Sequence, residues 1–136
     1  MNLYLQIVAC GLLCVLLIVA YGTFRCKTTD FVDPLTKSFF KGELSNYLDG
    51  WGISHFLFFA FLGYKFNKPK YILFSFVLGV IWEIIEYFSK DKPFYISECK
   101  YDMTTDKGQG WWYGRYQDVI MNSLGLYVGY IVSKKI

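Results

Sequence analysis

The stretch YILFSFVLGVIWEIIEYF, residues 71–88, decides the fold of this 136-residue chain. It is an almost uninterrupted apolar run, long enough to cross the ~30 Å hydrocarbon core of a membrane, yet it contains Glu83 and Glu86. A carboxylate costs roughly 2.5 to 3.5 kcal/mol at the centre of a membrane helix. Both glutamates therefore need a compensating partner inside the protein.

Three further apolar stretches predict an all-α, multi-pass integral membrane protein with about four transmembrane helices. Residues 3–21 carry no charge, whereas 51–66 and 118–132 are shorter and would end in the headgroup layer. The composition agrees, because 54% of the residues are hydrophobic, against roughly 45 to 50% in an ordinary soluble domain. A cleaved signal peptide is the alternative for 3–21, but no basic segment precedes the apolar run.

The chain is predicted to form one membrane domain, 1–136. Its parts, in chain order, are a first span (1–24), an interfacial linker (25–50) and a core of three spans (51–132). In the linker, Asp33 precedes Pro34 as in a capped helix start, and apolar residues recur at helical spacing through 34–48. We therefore expect an amphipathic helix at the membrane interface.

The formal net charge of +3 is unevenly distributed along the chain. With alternating spans, all charged residues on one side of the membrane are basic: Lys65, Lys68, Lys70, Lys134 and Lys135. This asymmetry predicts that the lysine side faces the cytoplasm. If the host is eukaryotic, the predicted location is the endoplasmic reticulum or another internal membrane. The basic residues form no patch interleaved with exposed aromatic residues, so nucleic acid is not an expected partner. Assembly into a homo-oligomer stays open.

The four cysteines separate into two pairs. Cys10 and Cys14 lie inside the first span and are expected to be packing residues. Cys26 and Cys99 fall on the side opposite the lysines, where a disulfide can form if that compartment is oxidising.

Two predicted helix faces carry polar side chains. Glu83 and Glu86 are three residues apart and therefore share one face. In the last span, an acid, an amide and two glycines also fall on one face: Asp118, Asn122, Gly125 and Gly129. The glycines predict close contact with a neighbouring helix. His55, the only histidine in the sequence, lies about one turn inside the second span.

Alternating spans would place all these polar residues at a similar depth, near one surface of the membrane, so that they converge if the helices bundle. A cation among them would compensate the buried carboxylates. Carboxylate and amide oxygens suit a hard ion, so the ligand types predict Ca²⁺, Mg²⁺ or Mn²⁺ as the cofactor. Arg115 is a competing partner, which would make the cluster a structural arginine–carboxylate network.

Four motifs in residues 51–130 resemble, in order, the core of the eukaryotic base-exchange phosphatidylserine synthases: ISHFLFF, WEIIEYF, PFYISEC and WWYGRYQDVIMNSLGLYVG. That family carries a histidine in an xHF context, an FExxEY helix, a PNFxECWWD segment and a DxxxxNGxG helix. Two departures stand out: KYDMTTDKGQG separates the SEC and WW elements here, and Tyr113 follows WW where the family has an acid. The chain is also shorter than those enzymes.

The resemblance implies transfer of a phosphatidyl group from a membrane phospholipid to L-serine. It implies His55 as the catalytic histidine, assisted by Asp118, and a calcium site formed by Glu83, Glu86, Asp118 and Asn122. The predicted substrate contacts are Arg115, Glu98 and Trp112. Whether the histidine acts as general base or as nucleophile stays open. Head-group exchange needs no nucleotide, consistent with a sequence that lacks a GxxxxGK loop.

Two alternatives remain. The VanZ-like membrane family is a second resemblance, because its R…D…N..G...G pattern fits GRYQDVIMNSLGLYVGY. A non-enzymatic four-helix membrane protein with a structural or ion-conducting acidic cluster would also contain these residues. The second acid of WEIIEYF and the SEC element favour the synthases.

Overall fold

The computed structural model of the chain describes residues 2–27, 33–89 and 115–136. Within these ranges it contains four α-helices and no strand: α1 Leu3–Lys27, α2 Gly50–Lys65, α3 Pro69–Phe88 and α4 Tyr116–Lys135. The all-α prediction is confirmed, and each predicted span corresponds to one helix.

Two of these helices are long and apolar enough to cross a membrane, judged by length and composition: Leu3–Arg25 and Pro69–Phe88. The helix α2 has 16 residues, which corresponds to about 24 Å at ~1.5 Å per residue. It is therefore shorter than the ~30 Å hydrocarbon core. The four helices thus include two candidate spans, α1 and α3, and four spans stay a prediction.

The predicted amphipathic helix over 34–48 is wrong. The chain instead forms two short 3₁₀ helices, Pro34–Thr36 and Gly42–Asn46. Local interactions explain the interruption. The Ser38 hydroxyl donates a hydrogen bond to the Phe40 carbonyl and accepts one from the Phe40 amide. Gly42 adopts a φ of 79°, which a helix does not accommodate. The predicted helix start is confirmed, because the Asp33 side chain accepts a hydrogen bond from the Leu35 amide.

Close contact between α2 and α4 forms the centre of the bundle. A Cβ atom on Gly125 would lie 2.4 Å from the Phe56 carbonyl oxygen, and one on Gly129 would lie 2.0 Å from the Ala60 carbonyl oxygen. No side chain fits in either place, so these glycines let the two backbones touch. This close approach is the one predicted from the glycine spacing of the last span.

Most exposed side chains of α3 are apolar, whereas its buried face carries polar side chains towards the C-terminal end. Leu73, Val77 and Ile81 are exposed, whereas Glu83 and Glu86 are only 6% and 9% exposed. This distribution is the reverse of that in a soluble domain, where charged residues are almost never fully buried without a partner. Apolar surroundings for α3 account for both observations.

Contacts near both ends hold α1 against the other helices. At one end, the Tyr4 ring packs edge-on against Tyr71 and Phe74, with centroids 4.9 and 5.1 Å apart. At the other end, the Tyr21 ring contacts Trp51, and Arg25 forms a buried ion pair with Asp33. The start of α1 therefore lies beside the start of α3, and its end lies beside the start of α2.

Candidate functional site

Three helices bring their polar side chains together around His55. This residue lies on α2, less than two turns after the N-cap Asp49, whose side chain accepts a hydrogen bond from the Gly52 amide at 2.7 Å. His55 Nδ1 lies 2.9 Å from Asn122 Oδ1 on α4 and 3.6 Å from Glu83 Oε1 on α3. The convergence predicted from helix direction and depth is present.

Asn122 fixes the protonation pattern of His55. An amide oxygen can only accept a hydrogen bond, so His55 Nδ1 must carry the proton in the 2.9 Å contact. In the neutral imidazole, Nε2 then keeps its lone pair. Asn122 is 2% exposed, and the absence of a side chain at Gly79 makes room for it, because a Cβ there would lie 3.2 Å from Asn122 Nδ2.

The Glu83 carboxylate has two differently placed oxygens. Its Oε2 accepts a hydrogen bond from the Arg115 backbone amide at 3.2 Å. Its Oε1 is fully buried and has no hydrogen-bond partner in the described part of the chain. A buried carboxylate oxygen without a donor is costly, so Oε1 is the atom of this cluster that most needs a ligand or a proton.

Arg115 connects two aspartates at the edge of the cluster. Its Nε and Nη2 each donate to Asp118 at 2.8 Å, and its Nη1 donates to Asp49 at 2.8 Å. Burial lowers the pKa of Arg115, but the hydrogen bonds to Asp49 and Asp118 outweigh burial and raise the pKa above its ordinary value. The guanidinium is therefore a permanent cation, and part of the cluster is an arginine–carboxylate network.

Sequence reasoning missed Asp49. It is buried with 8% exposure and serves both as the N-cap of α2 and as a partner of Arg115, 66 residues away. The available signal was its position directly before a predicted helix start, where aspartate is a favoured cap. Its contact with Arg115 depends on the tertiary fold.

The spacing of the ligand atoms fits a divalent cation. One potential ligand atom each from His55, Glu83 and Asp118 lies within 4.8 Å of the others. Because opposite oxygens around Ca²⁺ are about 5 Å apart, the two carboxylates are close enough to hold one ion beside the imidazole. Glu83 Oε1, which accepts no hydrogen bond among the described residues, is the strongest candidate ligand, and Asn122 Oδ1 lies 2.9 Å from His55 Nδ1. Both oxygens of Asp118 accept hydrogen bonds from Arg115, so an ion bound here would share this carboxylate with the guanidinium.

Glu86 is buried one turn beyond Glu83 but does not belong to this group of ligand atoms. Of the predicted substrate contacts, Arg115 lies in the cluster with its guanidinium on two aspartates, whereas Glu98 and Trp112 lie outside the described residues. The predicted Cys26–Cys99 pair also falls outside them, because Cys99 is not described. Cys10 and Cys14 are free thiols on α1.

Comparison with known proteins finds no match. No family model matches the chain, and neither a curated protein nor a solved structure matches it. The resemblance to the phosphatidylserine synthases therefore stays a prediction that rests on the four sequence motifs.

Proposed function

We propose that this chain is a multi-pass membrane enzyme that exchanges phospholipid head groups, transferring a phosphatidyl group to L-serine. The observation that carries the proposal is the contact of His55 Nδ1 with Asn122 Oδ1 at 2.9 Å and with the buried Glu83 Oε1 at 3.6 Å. An imidazole held in this way is equipped for proton transfer or nucleophilic attack.

The position of the cluster supports a lipid substrate. His55 lies near the start of α2, Glu83 near the end of α3 and Asn122 near the start of α4. These helix ends lie on one side of the bundle, while the outer surface of the helices is apolar. In a membrane, the cluster would lie close to the headgroup layer, at the depth of a phospholipid phosphate.

The reaction replaces one phosphodiester with another. His55 Nε2 takes the proton of the serine hydroxyl as its oxygen attacks phosphorus, and the same proton passes to the departing head-group alcohol. Alternatively, Nε2 attacks phosphorus itself and forms a phosphatidyl-enzyme as the head-group alkoxide leaves and takes a proton from water. The serine hydroxyl then attacks phosphorus, loses its proton to water and releases Nε2. In both routes the Glu83 carboxylate and the Asn122 oxygen stabilise the positive charge that develops on the imidazole ring.

A divalent cation, Ca²⁺ first and Mg²⁺ or Mn²⁺ as alternatives, would neutralise the non-bridging phosphate oxygens. Glu83 and Asp118 would hold it, with Asn122 and Glu86 as further predicted ligands. The chain fixes these groups in advance: Arg115 orients Asp118, and Asp49 in turn holds Arg115.

The arginine network favours a second candidate function. Because Arg115 already pairs with Asp49 and Asp118, the cluster can also serve as a structural or ion-conducting element of a non-enzymatic membrane protein. A VanZ-like protein acting on another lipid would use the same residues. Among the described residues Glu83 Oε1 accepts no hydrogen bond, which favours the enzymatic function, because the oxygen stays available to an ion or a substrate.

The test is incorporation of labelled L-serine into lipid by the purified chain in vesicles of phosphatidylcholine and phosphatidylethanolamine. We expect labelled phosphatidylserine, its loss on adding a chelator of divalent cations, and recovery when Ca²⁺ is restored. Labelled choline and ethanolamine in parallel vesicles identify the preferred alcohol. No transfer with any alcohol, from protein shown to be folded, would overturn the proposal and favour the structural alternative.

A further inference from the structure

A large apolar groove lies between α1 and the pair α2 and α3. Its volume is about 680 Å³. On the α1 side it extends from Ile7 to Tyr21, a rise of about 21 Å along the helix axis. Because the hydrocarbon core is ~30 Å thick, the groove is long enough to pass through one leaflet of a membrane.

Both ends of the groove are marked by the contacts that hold α1. Ile7, only 1% exposed, packs into the apolar core with Leu62 and Tyr71 at one end. The ring contact of Tyr21 with Trp51 marks the other. Between them, Gly11 lines the groove, and a Cβ atom at this position would meet nothing within 4 Å.

The two ends differ in chemistry. His55, Ser54 and Asn122 line the groove at the end near Trp51, whereas Leu62 and Ile7 line the opposite end. A ligand that fits this lining has one polar end and a long apolar body. The polar end would meet the His55 cluster, which already carries the candidate chemistry.

We propose that this groove binds one hydrocarbon chain of a membrane phospholipid and thereby places the phosphate beside His55. The assignment of the phosphate rests on the proposed function, whereas chain binding follows from the groove alone. The groove runs about 21 Å along the single helix α1, so we assign it one chain, and the second chain remains in the bilayer.

Ser75 provides an internal check on the chemistry of the ligand. Its hydroxyl is buried, lines the groove, and has no hydrogen-bond partner among the described residues. A plain hydrocarbon chain makes no use of this hydroxyl. Chain binding should therefore survive Ser75→Ala, whereas a ligand with a polar group halfway along its length would bind less well.

The experiment uses the full-length chain in vesicles that contain a trace of phosphatidylcholine with a photoreactive diazirine at the end of one chain. After irradiation, mass spectrometry maps the labelled residues. We expect label on Ile7, Leu62 and Leu78 inside the groove in addition to outward residues of α1 such as Leu13 and Leu16, which report contact with bulk lipid. Lysophosphatidylcholine, a single-chain competitor, should reduce only the labelling inside the groove.

Gly11→Phe is the decisive variant, because a phenyl ring at this position projects into the groove where a Cβ is unopposed. It should abolish labelling of Leu78 while leaving Leu13 labelled. Ala9→Phe, on the exposed side of the same helix, is the matched control and should leave labelling of Leu78 unchanged.

Labelling of Leu78 that persists in Gly11→Phe, or label confined to outward residues in the unmodified chain, would overturn the proposal. Loss of labelling in Ser75→Ala would overturn the plain hydrocarbon assignment. The readout needs no catalysis, so groove labelling without serine exchange would refute the proposed function and leave chain binding intact.

Discussion

Asn122 holds His55 in one tautomer, because its amide oxygen lies 2.9 Å from Nδ1 and can only accept a hydrogen bond. The two residues are 67 positions apart and sit on different helices. Because Nδ1 carries the proton in this contact, Nε2 keeps its lone pair and can act as the base. Asn122 therefore controls the base without taking part in the bonds that form or break.

The first prediction concerns this contact. Asn122→Ala should lower the turnover of serine exchange by about 10- to 100-fold, the usual effect of losing a group that orients a histidine, with little change in KM. Asn122→Asp retains an acceptor oxygen and should recover part of the loss. Equal loss in both variants would contradict a role through the His55 tautomer.

The second prediction concerns Glu83. In Glu83→Gln, the amide oxygen can still accept from the Arg115 backbone, but an amide nitrogen replaces Oε1, the oxygen that accepts no hydrogen bond among the described residues. We expect loss of exchange and loss of terbium luminescence, with Tb³⁺ as a probe for a calcium site. The matched control is Glu43→Gln, an exposed acid in the linker, which should change neither measurement. Full exchange with Gln at 83 would exclude this carboxylate from the reaction.

The third prediction concerns the stability of the arginine network. Arg115→Met leaves two mostly buried aspartates without their cation, which typically destabilises a protein by about 3 to 5 kcal/mol. Thermal unfolding in detergent should show a clear decrease in Tm. Adding Asp49→Asn and Asp118→Asn to that variant should restore much of the loss, since no unpaired charge then remains.

Lys68→Met, which removes an exposed cation before α3, is the control for the network. It should leave the Tm almost unchanged, because exposed charges contribute little. A decrease equal to that of Arg115→Met would mean that loss of positive charge, rather than loss of the buried pairs, causes the effect.

The fourth prediction concerns packing of α2 against α4. Gly129→Ala would place a Cβ 2.0 Å from the Ala60 carbonyl oxygen, so the helices must separate at a cost of about 1 to 3 kcal/mol. Gly11→Ala meets no atom within 4 Å and should be neutral or slightly stabilising, because alanine is the better helix former. Similar Tm values for both variants would argue against the close contact.

Much of the helical core could be predicted from residue spacing. The period of 3.6 residues placed Glu83 with Glu86, and Asp118 with Asn122, on single helix faces. Alternating helix direction then placed His55 at the same depth, and the structure brings His55, Glu83 and Asn122 together. These inferences succeeded because they depend on local geometry and chain direction.

The linker could not be predicted in the same way. Apolar spacing through 34–48 indicated a helix, but the Ser38 hydroxyl bonds and the positive φ of Gly42 interrupt it. The pairing of Asp49 with Arg115 likewise depends on how α2 and α4 pack. The first feature is a local backbone interaction that apolar periodicity does not report, and the second is a contact between residues 66 positions apart.

The most direct test of the central claim, that His55 and Glu83 form one catalytic unit, is single-turnover serine exchange in reconstituted vesicles. His55→Gln and Glu83→Gln should each lower the rate by at least about 100-fold. The double variant should be scarcely slower than the worse single variant, because groups that act together are not additive. Exchange at the unmodified rate in folded His55→Gln would contradict the account.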